Sequence, residues 1–146
     1  MNDRGVMTVD MIFATLLIII VAGSIVSVVS NRIDTTSQTE ELSKARMTAD
    51  NVAEAINKVY SSGTGHSANI SLPDDITGEK YFINVNSSGV YVTIGGMTGK
   101  AYIIPKKVSN SYLLDESQIT MHCGSAYIIK NVNGSEGYNW IVITGS

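Results

Sequence analysis

An uncharged run from Met11 to Val29, MIFATLLIIIVAGSIVSVV, limits what this chain can become more than any other feature. As a helix rising about 1.5 Å per residue, it reaches roughly 28 Å, close to the apolar thickness of a bilayer. At about 25 cal/mol per Å² of apolar surface, such a span is far more stable in lipid or in a helix bundle than in water. An isolated soluble subunit is therefore not a credible end state. A secretory signal carries a shorter apolar stretch with a small-residue cleavage site after it. Here no A-x-A-like site follows, and the candidate processing signal, Arg4-Gly5, precedes the run. That order suits an apolar helix that is kept after processing and used.

Beyond Val29 the 146-residue chain retains enough sequence for one modest domain. The chain is 44% hydrophobic, yet this remainder is rich in Ser, Thr, Asn, Gly and Tyr, the palette of an extracellular β domain more than of a cytosolic enzyme. Net charge is −3 with no basic block, so the electrostatic footprint of a nucleic-acid binder is absent and no nucleic-acid partner is expected. The single cysteine, Cys123, excludes an intrachain disulfide framework and any multi-thiolate metal site. His122 stands beside it, but the only other histidine, His66, lies in a Gly/Ser loop. Cys123 is read as a small, partly buried residue near a strand end. No metal and no cofactor are expected.

Four parts are visible: a leader at 1–5, an apolar helix at 6–29, an amphipathic helix at 30–62 that continues it, and a β-rich head at 63–146. Apart from Gly23, neither proline nor glycine interrupts Val6 to Ser62, which permits one helix of roughly 80 Å. Leu42, Ala45, Ala49, Val52, Ile56 and Val59 recur at steps of three and four, a seam that packs on the protein's own domain or on a neighbouring copy. Gly63 and Gly65 supply a stop.

Strands are predicted at Ala68–Leu72, Tyr81–Asn86, Val90–Ile94, Lys100–Ile104, Gln118–Met121, Ser125–Val132 and Tyr138–Thr144, with Ser87-Ser88-Gly89 as a hairpin loop. Val90, Val92 and Ile94 alternate with Tyr91 and Thr93, the pattern of a strand with one core face. Trp140, Ile141 and Ile143 are expected to close the core. The fold class is α+β, a long helix against an antiparallel head of six or seven strands.

The N-terminal residues resemble a known family. Arg4-Gly5, then Val6-Met7-Thr8-Val9-Asp10, then an unbroken apolar helix, is similar to the prepilin (class III) signal of type IV pilins, most of all archaeal pilin-like proteins. The likeness covers roughly the first sixty residues; the remainder matches a pilin head in general character only. It implies that a membrane prepilin peptidase cuts between Gly5 and Val6, leaving Asp10 fifth in the mature chain. The acid is Asp where bacterial pilins favour Glu, the first mature residue is Val and not Phe or Gln, and the leader is short. Archaellins share this region but are typically longer, and pilin is the preferred reading.

The chemistry supports a role for Asp10. A carboxylate at the edge of an apolar segment costs about 2–3 kcal/mol on insertion scales unless paired. Cleavage creates an ammonium on Val6, one helical turn away, and in a stacked bundle the ammonium of an adjacent copy is a second partner. The plainer alternative leaves Asp10 at headgroup level on a lone anchor. Ala14, Ala22, Gly23, Ser24 and Ser27 allow close helix approach, although glycine is common in membrane spans generally.

Asn69-Ile-Ser71, Asn86-Ser-Ser88 and Asn133-Gly-Ser135 are candidate N-glycosylation sequons. Enzymatic signatures are weak. Asp74-Asp75 and Asp115-Glu116 are adjacent acids of the kind found in solvated turns. In Gly95-Gly96-Met97-Thr98-Gly99-Lys100 the lysine is followed by Ala101, so the phosphate-loop spacing fails and a glycine-rich turn is expected. The expected function is a non-enzymatic subunit of a pilus-like archaeal surface filament. It would be a membrane precursor before processing and extracellular afterwards, with membrane lipid and then further copies as its partners. The alternatives are a non-polymerising single-pass surface protein with a binding head, or a minor pilin.

Overall fold

A computed structural model describes residues 3–115, 117–134 and 137–146; the side chains of residues 3–8 and 31–35 lie outside that description. Among the described residues one helix, α1 (Asp3–Ser61), is followed by eight strands: β1 (Ser67–Ser71), β2 (Phe82–Asn86), β3 (Gly89–Ile94), β4 (Met97–Ala101), β5 (Val108–Ser109), β6 (Ile119–His122), β7 (Ala126–Asn133) and β8 (Asn139–Gly145). The class is α+β. Two compact units result, Met1–Thr39 and Glu40–Ser146, so the last third of α1 folds with the strands.

Within the described residues α1 is already helical at Asp3, ahead of the expected leader boundary, and runs through Gly5. One glycine in a helix costs about 1 kcal/mol, too little to terminate it here. Its C-terminus follows the expected stop. Gly63 has φ +89° and its N–H donates to Tyr60 O at 3.2 Å, while Ser62 N–H donates to Lys58 O at 3.0 Å. A left-handed residue just past the last turn is where glycine has no Cβ penalty.

Within the second unit, the strands form two sheets of order β1-β7-β8-β5 and β4-β3-β2-β6. All pairs are antiparallel except β5 with β8, which runs parallel through Val108↔Ile141 and Ser109↔Val142. The head is thus antiparallel-rich and not wholly antiparallel. The two-residue β5 escaped sequence reading because it is too short to show alternation.

The fourth strand also shifts, from the expected Lys100–Ile104 to Met97–Ala101. Gly95 and Gly96 take φ +52° and +80°, making a two-residue turn that pairs Ile94 directly with Met97. Positive φ at both central residues matches the twist of a hairpin. The glycine-rich segment is therefore a hairpin turn, and a strand follows it.

Inward residues of both sheets and of α1 share one core. Ala45, Ala49, Val52, Ala53, Ile56 and Val59 from the helix meet Ile83, Val85, Val90, Val92, Ile94 and Met121 from one sheet and Ile129, Ile141 and Ile143 from the other. The helical seam thus packs on its own domain. Trp140 does not join this core: alternation along β8 turns it to the face opposite Ile141 and Ile143. There its ring closes over Gly134, where any Cβ would lie 2.7 Å from Trp140 Cδ1, and Lys107 Nζ sits 5.4 Å from the ring centre.

Two asparagines join the helix to the rest of this unit, Asn57 to the segment after β4 and Asn131 from β7. Asn57 Oδ1 accepts the Ile104 N–H at 2.8 Å, and Asn131 Nδ2 donates to Val59 O at 3.3 Å and Tyr60 O at 3.1 Å. Asn131 is fully buried on β7, where it adds a donor to Val59 O and a second one to Tyr60 O, at the helix end where intrahelical donors run out.

Candidate membrane and assembly segment

Residues Val9–Ser30 of α1 form a 22-residue stretch of mean hydropathy 2.8, long and apolar enough to cross a membrane, with none of it buried. Every large apolar side chain from Val9 to Val29 is at least half exposed, up to 73% at Met11 and 68% at Ile18. Two polar side chains in this stretch bond to their own helix backbone. Thr15 Oγ1 donates to Met11 O at 2.7 Å and Ser24 Oγ to Ile20 O at 2.9 Å. Such bonds to the preceding turn satisfy hydroxyls without water, as a lipid or bundle environment requires.

Gly23 has open space around it, with no atom within 4 Å of where a Cβ would be. Packing within this chain therefore does not demand a glycine there. Asp10 is exposed at the start of the span and has no ion-pair partner among the described residues. Arg4, Gly5 and Val6 lie on the first turns of α1, and their side chains are outside the described set.

In the second unit the three candidate sequons occupy different settings. Asn69 is exposed on the edge strand β1, held in the ladder opposite Ile128. Asn86 ends β2, half-buried, with its Oδ1 accepting the Ser88 N–H at 2.8 Å. Asn133 is exposed at the end of β7, and Ser135 of its triplet lies outside the described residues.

The remaining chemical candidates sit in structural surroundings. Cys123 is half-buried just after β6, free, and packed against the core. Asp74 and Asp75 belong to a turn, in which Asp75 Oδ1 accepts the Gly78 N–H at 3.0 Å and Lys80 Nζ donates to Asp74 O at 2.8 Å. Asp115 is exposed, and its neighbour Glu116 lies outside the described residues. Nearby Tyr81 is buried and its hydroxyl donates to Pro73 O at 2.9 Å. Burial, then the proximity of Cys123, Asp74 and Asp75, pushes the phenol up to about 12. Among the described residues no group of His, Cys, Asp and Glu is placed to hold a metal ion.

Sequence reading missed the helix-end contact of Asn131. Its signal was present: Tyr127, Ile129 and Asn131 share one face of β7, so a polar residue stands at an inward position. No protein-family model matches the chain, and comparison with curated proteins and with solved structures returned no match.

Proposed function

We propose that this chain is a structural subunit of a type IV pilus-like surface filament. It would be inserted in the membrane as a precursor, cut between Gly5 and Val6 by a prepilin peptidase, and polymerised through its apolar helix with the head outward. The observation that carries this reading is the wholly unburied Val9–Ser30 stretch, continuous in one helix with a segment that folds into an α+β head. Burying a large aliphatic side chain contributes about 1.5–3 kcal/mol. The stretch thus has a strong drive toward lipid and then toward the matching helices of further copies. On this reading Asp10, exposed at the start of the span, would pair with a new ammonium on Val6 or on an adjacent copy.

The deciding experiment is N-terminal sequencing and intact mass of protein sheared from the cell surface. A start at Val6 in the sheared fraction is expected. An intact Met1 confined to membranes would overturn the filament reading in favour of a single-pass anchored surface protein.

A further inference from the structure

The hairpin tip between β2 and β3 borders a polar recess of about 200 Å³ lined by Asn86, Ser87, Lys106, Val108, Ser117 and Gln118. Sites for drug-sized ligands run to roughly 300–1,000 Å³, so this recess suits a group the size of one sugar ring. Its lining offers an ammonium, two hydroxyls and two carboxamides, the donors and acceptors that ring hydroxyls need. The Ser117 hydroxyl is fixed by accepting the Asn110 N–H at 3.2 Å.

Asn86 is itself part of this lining and begins the triplet Asn86-Ser87-Ser88. Of its side chain the turn uses Oδ1, which accepts the Ser88 N–H, and no hydrogen bond from Nδ2 is present among the described residues. The tip is held firmly: Gly89 has φ +147°, and a Cβ there would collide with Ala101 O across the β3–β4 pair. The other fully described sequon, at Asn69, is exposed in the middle of the β1–β7 ladder, opposite Ile128, whereas Asn86 is the last paired residue of β2, opposite Gly89. An acceptor at the end of its ladder, beside the turn, can present its amide while the pairing further along the strand stays intact.

We propose that Asn86 is the principal N-glycosylation site of this chain and that the recess beside it seats the first sugar of the attached glycan. The proposal rests on the reading that the β-rich unit lies outside the cytoplasm. In the transfer, Asn86 Nδ2 attacks the anomeric carbon of a lipid-pyrophosphate-linked oligosaccharide. The new N–C bond replaces the sugar's C–O bond to phosphate, the amide nitrogen loses one proton, and lipid pyrophosphate leaves with the bonding pair. Oδ1 remains free to accept from Ser88, so the turn survives modification. Lys106, Ser117 and Gln118 then meet the first ring.

Peptide mapping by mass spectrometry of the protein from its native cells, with N-terminal sequencing of the same sample, tests the site. Glycan mass is expected on the Asn86 peptide and is expected to vanish in Ser88→Ala. That variant keeps the fold, because the turn uses only the backbone N–H of Ser88, which the substitution retains. For the recess, Ser88→Ala is expected to lower Tm by a few degrees in the native background and by less when Lys106→Ala and Gln118→Ala are already present. Equal shifts in both backgrounds overturn the seating of the sugar. An unmodified Asn86 on protein that starts at Val6 overturns the site and leaves the filament reading intact. A modified Asn86 on protein that retains Met1 supports the site and removes the filament reading. An unmodified Asn86 with Met1 retained removes both.

Discussion

Gly99 of β4 lies directly against the backbone of Ala45 in α1: a Cβ at Gly99 would stand 2.8 Å from the Ala45 carbonyl carbon and 2.8 Å from Arg46 N. The backbone there is not in the left-handed region, so what excludes a side chain is the approach of the helix. Ala45 has no exposed surface, and Ala49, one turn further along the helix, is equally buried. Small residues on both partners let the helix settle onto the sheet.

Gly99→Ala is expected to destabilise the β-rich unit by about 1–3 kcal/mol, the usual cost of forcing atoms into a packed interface. Thermal unfolding in detergent, followed by circular dichroism, reads this as a lowered Tm. An unchanged Tm would show that the helix can move away at no cost.

Asn131→Leu removes the donor that serves Val59 O and Tyr60 O and leaves those carbonyls with one partner fewer. A loss of about 2 kcal/mol is expected, within the range for buried polar groups deprived of partners. Because Asn131 also stands in the β7 ladder, hydrogen exchange separates the two effects. Faster exchange confined to the last turn of α1 is expected, and uniform acceleration across β7 and β8 would contradict the helix-pinning role.

Tyr81 predicts a stability change at high pH. Its phenol is held protonated in the folded state up to about 12, against about 10 in an unfolded chain. Between those values the folded state binds more protons than the unfolded one, so stability is intact below about pH 10 and falls as pH rises toward 12. Tyr81→Phe is expected to lose about 1 kcal/mol at neutral pH, through the missing bond to Pro73 O, and to flatten this alkaline decline. Parallel pH profiles for the two proteins would refute the assignment.

Gly5→Leu is expected to leave the precursor uncut, detected as an intact mass that retains Met1, with no sheared filament. Normal filaments from this variant would sink the class of protein proposed. Asp10→Ala is expected to permit cleavage but reduce filament yield several-fold, and an unchanged yield would show that the carboxylate has no part in assembly.

Replacing Ile18 by Lys places a charge at the middle of the apolar stretch, at about 2.5–3.5 kcal/mol on insertion scales. Carbonate extraction of membranes is expected to release a substantial soluble fraction of this variant. Full retention would mean that the segment stays embedded in lipid despite the charge and that Ile18 does not lie at its apolar centre.

The apolar run, the helical seam and most strands were legible because each is written in local periodicity. Met11–Val29 excludes water by composition alone, and Leu42 to Val59 marks one helical face whatever it packs against. Alternation in Val90–Ile94 likewise names its own inward side. Other features depended on partners distant in sequence. Trp140 falls outside the core because β8 presents Ile141 and Ile143 inward, and the start of β4 depended on the twist of the Gly95-Gly96 turn.

The pairing of β5 with β8, the sheet order, the Gly99–Ala45 approach and the pinning of the helix end by Asn131 join residues tens of positions apart. So does the recess beside Asn86, which draws lining from separate loops. The sequence by itself determined where apolar surface must be covered and which faces turn inward, since these follow from the side chains' own solvation and the backbone's own repeat. Only the tertiary structure decided which surfaces meet, because close packing selects among distant partners by shape.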